Sequence, residues 1–140
     1  MGCVRGPVGH RRVVGLAVCL TVLLGATCAL AETKLEGMLR RLEPQTRFQQ
    51  VCDLEAMKRI AKDESKPYKP DRATTDAVSP PSVVETTMQG TGGAFRSRGK
   101  WYQFSFTCRS SADYMKVLSF TYQLGALIPE EKWEEYGLFK

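Results

Sequence analysis

Two cysteines constrain the fold of this chain more than any other residues. Cys52 and Cys108 lie 56 positions apart, whereas the other three cysteines lie among the first 31 residues. An even pair of cysteines in a chain that leaves the reducing cytoplasm is expected to form a disulfide. The sequence therefore predicts a bond between its N-terminal and C-terminal halves, with two separately buried thiols as the alternative.

The N-terminus has the pattern of an export signal. Residues 1–12 contain three arginines and no acid, and residues 13–31 carry no charge. The uncharged run closes on Ala29-Leu30-Ala31, a small-x-small cleavage pattern, so we predict a signal peptide over residues 1–31. An uncleaved membrane anchor is the alternative, because a spanning helix needs about 20 apolar residues. Both place residues 32–140 outside the cytoplasm, with the membrane involved only through this segment.

The remaining residues are enough for one small domain of nearly balanced charge. Removing the three leader arginines from the 20 basic residues leaves 17 against 15 acids, which disfavours a nucleic-acid partner. The only histidine, His10, lies in the leader. This excludes histidine-based catalysis and histidine-ligated metals from the predicted domain, and we expect neither a metal nor a cofactor.

Helical spacing and prolines divide the first half of this domain. Apolar residues three and four apart predict a helix over residues 33–42 and a second helix from Pro44 to about residue 62. Residues 63–93 are rich in proline and glycine and predict irregular chain with short strands, in which the structure of residues 79–89 stays open. Pro129 predicts the start of a short C-terminal helix.

The second half alternates between apolar and polar residues. This alternation over residues 101–109 and 117–124 is typical of strands with one buried face, and residues 94–98 are positioned to join them through a turn at Gly99. The predicted fold is α+β. N-terminal helices pack on one face of a three- to four-stranded antiparallel sheet, with a short C-terminal helix and one disulfide between the layers.

Several motifs resemble the domain-of-unknown-function family numbered 930. They are Arg47-x4-Cys52-Asp53-x-Glu55-Ala56-Met57, Tyr68-x-Pro70-Asp71, Gly93-Ala94-Phe95-Arg96-Ser97-x-Gly99-x-Trp101-Tyr102, Ser119-Phe120-x-Tyr122 and Ile128-Pro129-x3-Trp133-x2-Tyr136-x-Leu138. The resemblance covers about residues 40–139. It implies a small exported or envelope-anchored protein of alphaproteobacteria, located in the periplasm. It implies no activity, substrate or cofactor.

The first candidate site is a basic and aromatic hairpin, formed by Arg96, Arg98, Lys100, Trp101 and Tyr102. Cations bind phosphate and carboxylate, and an aromatic ring stacks on a sugar or a base. The predicted ligand is an anionic envelope polymer such as lipopolysaccharide or peptidoglycan, or an anionic lipid headgroup. The alternative is a solvated hairpin tip with Tyr102 in the core.

The second candidate is the polar face of the predicted sheet. Its members are Trp101, Gln103, Ser105, Thr107, Ser119, Thr121 and Gln123. A face of hydroxyls and amides with one tryptophan suits a glycan or a partner protein. The alternative is an ordinary solvated face.

Three carboxylates supply a rival function. Asp53, Glu55 and Asp71 meet the minimum of two carboxyl groups for glycoside hydrolysis, although Asp53 and Glu55 point to different sides of a helix. The favoured function is a non-enzymatic binding or structural module for an envelope polymer or a periplasmic protein partner. The alternative is a carboxylate-dependent hydrolase acting on cell-wall glycan.

Overall fold

The computed structural model describes residues 34–140, of which residues 36–140 form one compact unit. The predicted signal peptide lies outside the described residues. The helices are α1 (residues 34–41) and α2 (Pro44–Ala61), the strands are β1 (Pro70–Thr74), β2 (Ser82–Val84), β3 (Thr87–Ser97), β4 (Lys100–Ser110) and β5 (Val117–Leu127), and a 3-10 turn covers Glu130–Lys132. Within this range no helix is both long and apolar enough to cross a membrane.

Helix α2 begins where the sequence places a proline. Pro44 occupies the first turn, and the Glu43 side chain accepts a hydrogen bond from the Gln45 N–H at 3.3 Å. Proline suits this position because the first N–H groups of a helix have no partner within it. The Arg47 guanidinium then donates to the carbonyls of Leu39, Arg40 and Leu42, which satisfies the C-terminal end of α1 and fixes the corner between the helices.

The sheet is antiparallel in the order β1-β3-β4-β5, and β2 also pairs with β3. It therefore has five strands rather than three or four, because β3 is long enough to pair with β2 at its start and with β1 at its end. Glycines often mark turns, and the irregular, glycine-rich character of residues 63–93 predicts a flexible turn at Gly90, Gly92 and Gly93; this prediction is wrong. They lie inside β3 at a register shift, where a Cβ at Gly92 would collide with the backbone of Ser79. The strand passes too close to its neighbours there for a larger residue.

The predicted packing of helix on sheet is confirmed. Helix α2 buries Phe48, Val51 and Ile60 against the β4 side chains Phe104 and Phe106. A disulfide joins Cys52 on α2 to Cys108 on β4, with the two Cα atoms 6.1 Å apart. Both cysteines are fully buried, so the bond lies in the middle of the core between the two layers.

A second, smaller core covers part of the opposite face of the sheet. Trp101 and Ala94 pack there against Ile128, Trp133 and Leu138 of the C-terminal segment. The expected C-terminal helix is only the three-residue 3-10 turn, which lets the chain fold back over the sheet. The indole N–H of Trp101 donates to the Phe139 carbonyl at 3.0 Å, and that of Trp133 donates to the Ile128 carbonyl at 3.0 Å.

Replacement of Gly93 by alanine tests the tight passage of β3 over β4. A Cβ at Gly93 would lie 2.7 Å from Cε1 and Cζ of the Phe104 ring. We expect Gly93→Ala to lower the free energy of unfolding by about 1–3 kcal/mol, measured by urea denaturation. The control is Gly37→Ala, where the new Cβ meets nothing within 4 Å. This helical substitution is expected to raise stability by about 0.5–1 kcal/mol. Equal stability of Gly93→Ala and wild type would contradict the described packing.

Candidate functional site

The structure divides the predicted basic and aromatic cluster between the two faces of the sheet. Arg96 and Trp101 lie on the outer face, beneath the C-terminal segment. The Trp101 ring is 1% exposed, so it is not open to a ligand. Arg96 forms a two-pronged ion pair with Asp71, at 3.0 Å from Nε to Oδ1 and 2.9 Å from Nη2 to Oδ2. Both residues therefore hold the fold together at this place.

The ion pair keeps both Arg96 and Asp71 charged, and other groups hold the guanidinium as well. The hydrogen bond to Asp71 raises the pKa of the Arg96 guanidinium, and the same bond lowers the pKa of Asp71. The guanidinium carbon lies 5.9 Å from the centre of the Trp101 ring, and Nη1 donates to the Phe139 carbonyl at 3.3 Å. A cation already held by a carboxylate, a ring and a carbonyl is poorly placed to bind an external anion.

The other three members of the cluster stay together on the helix side of the sheet. Arg98, Lys100 and Tyr102 line a groove of about 460 Å³ together with residues 66–68, which were not part of the predicted cluster. We call this the basic groove, and its lining residues are Lys66, Pro67, Tyr68, Ser97, Arg98, Lys100 and Tyr102. It contains three cations and two aromatic rings, as predicted for an anion site, but with Lys66 and Tyr68 in place of Arg96 and Trp101.

The turn between β3 and β4 places the first two cations. Arg98 and Gly99 have φ angles of +53° and +73°, and Ser97 pairs with Lys100. Two consecutive positive φ angles in a two-residue hairpin loop form a type I′ turn, which favours asparagine then glycine. Arginine is therefore a costly choice for the first loop position, and its side chain projects from the tip of the hairpin into solvent.

The segment before β1 supplies the rest of the groove. The backbone N–H of Lys69 donates to the buried Ser97 hydroxyl at 2.9 Å, which fixes this segment against the hairpin. The Tyr68 ring then packs at 5.1 Å from Phe95 and 4.8 Å from Tyr102, measured between ring centres. The two tyrosines form an aromatic floor, and no hydrogen bond within residues 34–140 engages their hydroxyl groups.

The cations of the basic groove are free of ion pairs within residues 34–140. Lys66, Arg98 and Lys100 are exposed, and none forms an ion pair among the residues that the structure describes. The adjoining depression shares Pro67 and Tyr68 with the groove and adds Lys62 and Lys69, together with Asp63 and Glu64. The adjoining depression therefore has no excess of either charge. The three cations of the basic groove lie together without an ion-pair partner in residues 34–140, and such a cluster attracts anions.

The polar face of the sheet forms a second groove, of about 660 Å³. Its floor is formed by Ser105, Thr107, Thr121 and Gln123, and the segment from Ser79 to the start of β2 at Ser82 forms one wall. The sequence made no prediction for the structure of this segment. Trp101, the one tryptophan predicted on this face, lies there but is covered by the C-terminal segment. The polar groove therefore offers hydroxyls and amides and no charge.

The three predicted carboxylates do not meet in a cleft. Glu55 pairs with Arg59 at 2.6 Å, and Asp71 pairs with Arg96. None of the three lines the basic groove or the polar groove. Among residues 34–140, no group of three or more histidine, cysteine, aspartate or glutamate side chains is arranged to hold a metal ion.

Asp53 is the unusual carboxyl group. It is 8% exposed, and its Oδ1 atom is buried without a hydrogen-bond partner in the described chain. Burial raises the pKa of Asp53 to about 7, and the negative charge of Asp76 adds to this effect, whereas the approach of Thr75 opposes it. The Thr75 hydroxyl is itself buried and unpaired. Burial disfavours the charged form of a carboxyl group, which explains the direction of the shift.

Comparison with known proteins gives one match. The model of the family described as Domain of Unknown Function (DUF930) matches residues 39–138. This chain belongs to that family. No curated protein and no solved structure matches it.

The matched span contains the structural contacts described above. Arg47 closes the end of α1, the Cys52–Cys108 bond joins the two layers, and the Asp71–Arg96 pair fastens β1 to β3. These motif residues therefore hold the fold. Tyr68, Ser97 and Tyr102 are the motif residues that line the basic groove.

The pKa of Asp53 predicts an unusual dependence of stability on pH. Because the folded-state pKa of about 7 lies above the ordinary 3.8, the folded protein binds one more proton than the unfolded chain between these values. Asp53 therefore destabilises the protein progressively from about pH 4 to pH 7, by at most about 4 kcal/mol. We expect Asp53→Asn to unfold at a higher urea concentration than wild type at pH 8, and the difference to shrink towards pH 4.

Asp63→Asn is the control, and its effect on stability is expected to have the opposite sign. Hydrogen bonds from Ser65 hold the pKa of Asp63 below its usual value, so this carboxylate stabilises the folded state above that range. Asp63→Asn is expected to be less stable than wild type at pH 8 and to approach it in acid. A difference between Asp53→Asn and wild type that does not change with pH would contradict a neutral, buried Asp53.

Proposed function

We propose that this protein is a non-enzymatic binding module of the bacterial envelope, and that its basic groove holds an anionic polymer in the periplasm. The observation that carries the proposal is the set of three unpaired cations around two tyrosine rings. Arginine presents a planar fork that fits phosphate or carboxylate, and lysine adds a mobile point charge. The tyrosine rings offer a flat surface for a sugar. Together these groups suit a charged saccharide chain.

The arrangement of the groove also favours a polymer over a small ion. One exposed cation contributes little binding energy by itself, because solvent screens it. Three cations along a groove of about 460 Å³ can contact successive charges of one chain at the same time. We therefore expect affinity to depend on polymer length and to fall steeply with salt.

The proposed compartment rests on two features of the sequence. The leader over residues 1–31 has the pattern of an export signal. The disulfide between Cys52 and Cys108 is the kind of bond that persists outside the reducing cytoplasm. In that compartment the available anionic polymers are lipopolysaccharide and peptidoglycan, with anionic lipid headgroups at the membrane surface.

The hydrolase alternative gains no support from the placement of its carboxylates. Hydrolysis of a glycoside needs two carboxyl groups about 5–9.5 Å apart across a cleft. Asp71 and Glu55 are neutralised by arginines, and Asp53 is buried beside Thr75. We therefore keep binding, and not hydrolysis, as the proposed function.

A triple variant that leaves the fold intact tests the proposal. Lys66→Gln, Arg98→Asn and Lys100→Gln together remove the three cations, and asparagine suits the type I′ turn at position 98. The full-length chain, purified as an exporting host processes it, is added to lipopolysaccharide, to peptidoglycan sacculi and to anionic phospholipid vesicles. For the polymer that binds wild type, we expect the triple variant to bind about 10- to 100-fold more weakly at low salt.

A second triple variant controls for net charge. Arg40, Arg41 and Arg109 are exposed and lie outside the basic groove, and replacing each with glutamine removes the same total charge. This control is expected to bind within about twofold of wild type. Equal loss in both variants would assign the binding to overall charge and overturn the groove as the site. Absence of wild-type binding to all three materials would overturn the polymer as the ligand.

A further inference from the structure

The two edges of the sheet are built differently. One edge is formed by β1 and β2, which have five and three residues. Strand β1 begins with Pro70, contains the charged residues Asp71 and Arg72, and shifts register between Pro70 and Arg72. Arg72 also lies 4.6 Å from the centre of the Phe139 ring. Short strands, proline, charge and bulges are the means by which proteins prevent unwanted pairing at an edge.

The other edge, β5, lacks most of these means of protection. It has 11 residues, VLSFTYQLGAL, with no charged residue and no proline. It pairs with β4 on one side, and its other side has no partner strand within residues 34–140. The irregularities of its ladder lie near the two ends, and pairing is regular from Ser119 to Leu124. A long, uncharged edge leaves a row of backbone N–H and C=O groups open to another strand.

We propose that β5 pairs, antiparallel, with β5 of a second copy of this chain. The reason for this partner is that the strand complements itself. A two-fold axis at Thr121 places Thr121 opposite its own mate and Ser119 opposite Gln123, so hydroxyls and amides meet on the outer face. The same axis places Phe120 opposite Tyr122, so rings meet on the helix side. Cross-strand pairs of this kind stabilise antiparallel sheets.

Charge also favours a second copy. In a symmetric pair the residue on the axis faces its own copy, so a charge at position 121 would face a like charge. The whole of β5 is free of charge, and the exposed residues Ser119, Thr121 and Gln123 both donate and accept hydrogen bonds. Leu118 is 58% exposed and would face Leu124 of the second copy, which removes apolar surface from water.

The pairing would have a consequence for the polar groove. Thr121 and Gln123 form part of its floor and belong to the edge strand. The two grooves would therefore meet across the two-fold axis and form one continuous, uncharged surface of hydroxyls and amides. The basic groove is built from other residues, so failure of the pairing and failure of polymer binding can be told apart.

Sedimentation velocity of the full-length protein, purified as its host processes it, tests the pairing. We expect wild type to sediment as a dimer. Thr121→Lys places two like charges opposite each other and is expected to raise the dimer dissociation constant about tenfold or more. The control is Gln89→Lys, which adds the same charge to an exposed position two strands away from this edge, on the same face. It is expected to remain dimeric.

A cross-linking experiment fixes the register. Directly opposed Cβ atoms in such a pair lie about 4.5–5.5 Å apart, so Thr121→Cys is expected to form a disulfide-linked dimer on mild oxidation. Gln89→Cys is the control and is expected to stay unlinked. A wild type that remains monomeric at all concentrations would overturn the proposal and leave this edge to a strand of another protein. So would a dimer that Thr121→Lys and Gln89→Lys weaken equally.

Discussion

The disulfide between Cys52 and Cys108 is the constraint on which the two-layer structure depends. It closes a loop of 56 residues, and in the chain-entropy model a loop of this length contributes roughly 4 kcal/mol by restricting the unfolded chain. The net stability of a domain is usually about 5–15 kcal/mol, so this contribution is a large share. Both cysteines are completely buried, so the bond also fills the core between α2 and β4.

The segment that follows β5 covers part of the opposite face of the sheet. Trp101 lies on that face, and a large ring there must be covered if it is to leave water. The C-terminal segment covers it with Trp133 and Leu138, and the Phe139 carbonyl accepts the indole N–H. The Asp71–Arg96 ion pair lies beside this cluster, next to the Trp101 ring. The sheet is therefore covered by helix on one face and partly covered by irregular chain on the other.

The sequence predicted the parts of the fold that follow local rules. Alternation in β4 and β5, the proline at the start of α2, and the cysteine pair each point to the structure that forms. It failed at β3, because three glycines usually mark a turn and only their contacts with Ser79 and Phe104 show why they lie within a strand. The number of strands in the sheet was underestimated for the same reason.

The candidate site was predicted only in part, also for a physical reason. A hairpin alternates its side chains between two faces, so Trp101 and Tyr102 cannot share a groove although they are neighbours in sequence. The partners that complete the basic groove, Lys66 and Tyr68, come from a segment about 30 residues earlier, and no periodic pattern marks them. The hydrogen bond from Lys69 to Ser97 brings this segment to the hairpin. Such tertiary contacts are not encoded in local spacing.

The state of the two cysteines in the cell tests the central claim most directly. Cells that produce the protein are quenched in acid, the free thiols are alkylated, and the peptides with Cys52 and Cys108 are quantified by mass spectrometry. Without reductant, we expect both cysteines to stay unalkylated and their two peptides to be found as one cross-linked species. After reduction, we expect both to become alkylated. Two fully alkylated cysteines in unreduced protein would contradict both the covalent joining of the layers and the proposed export.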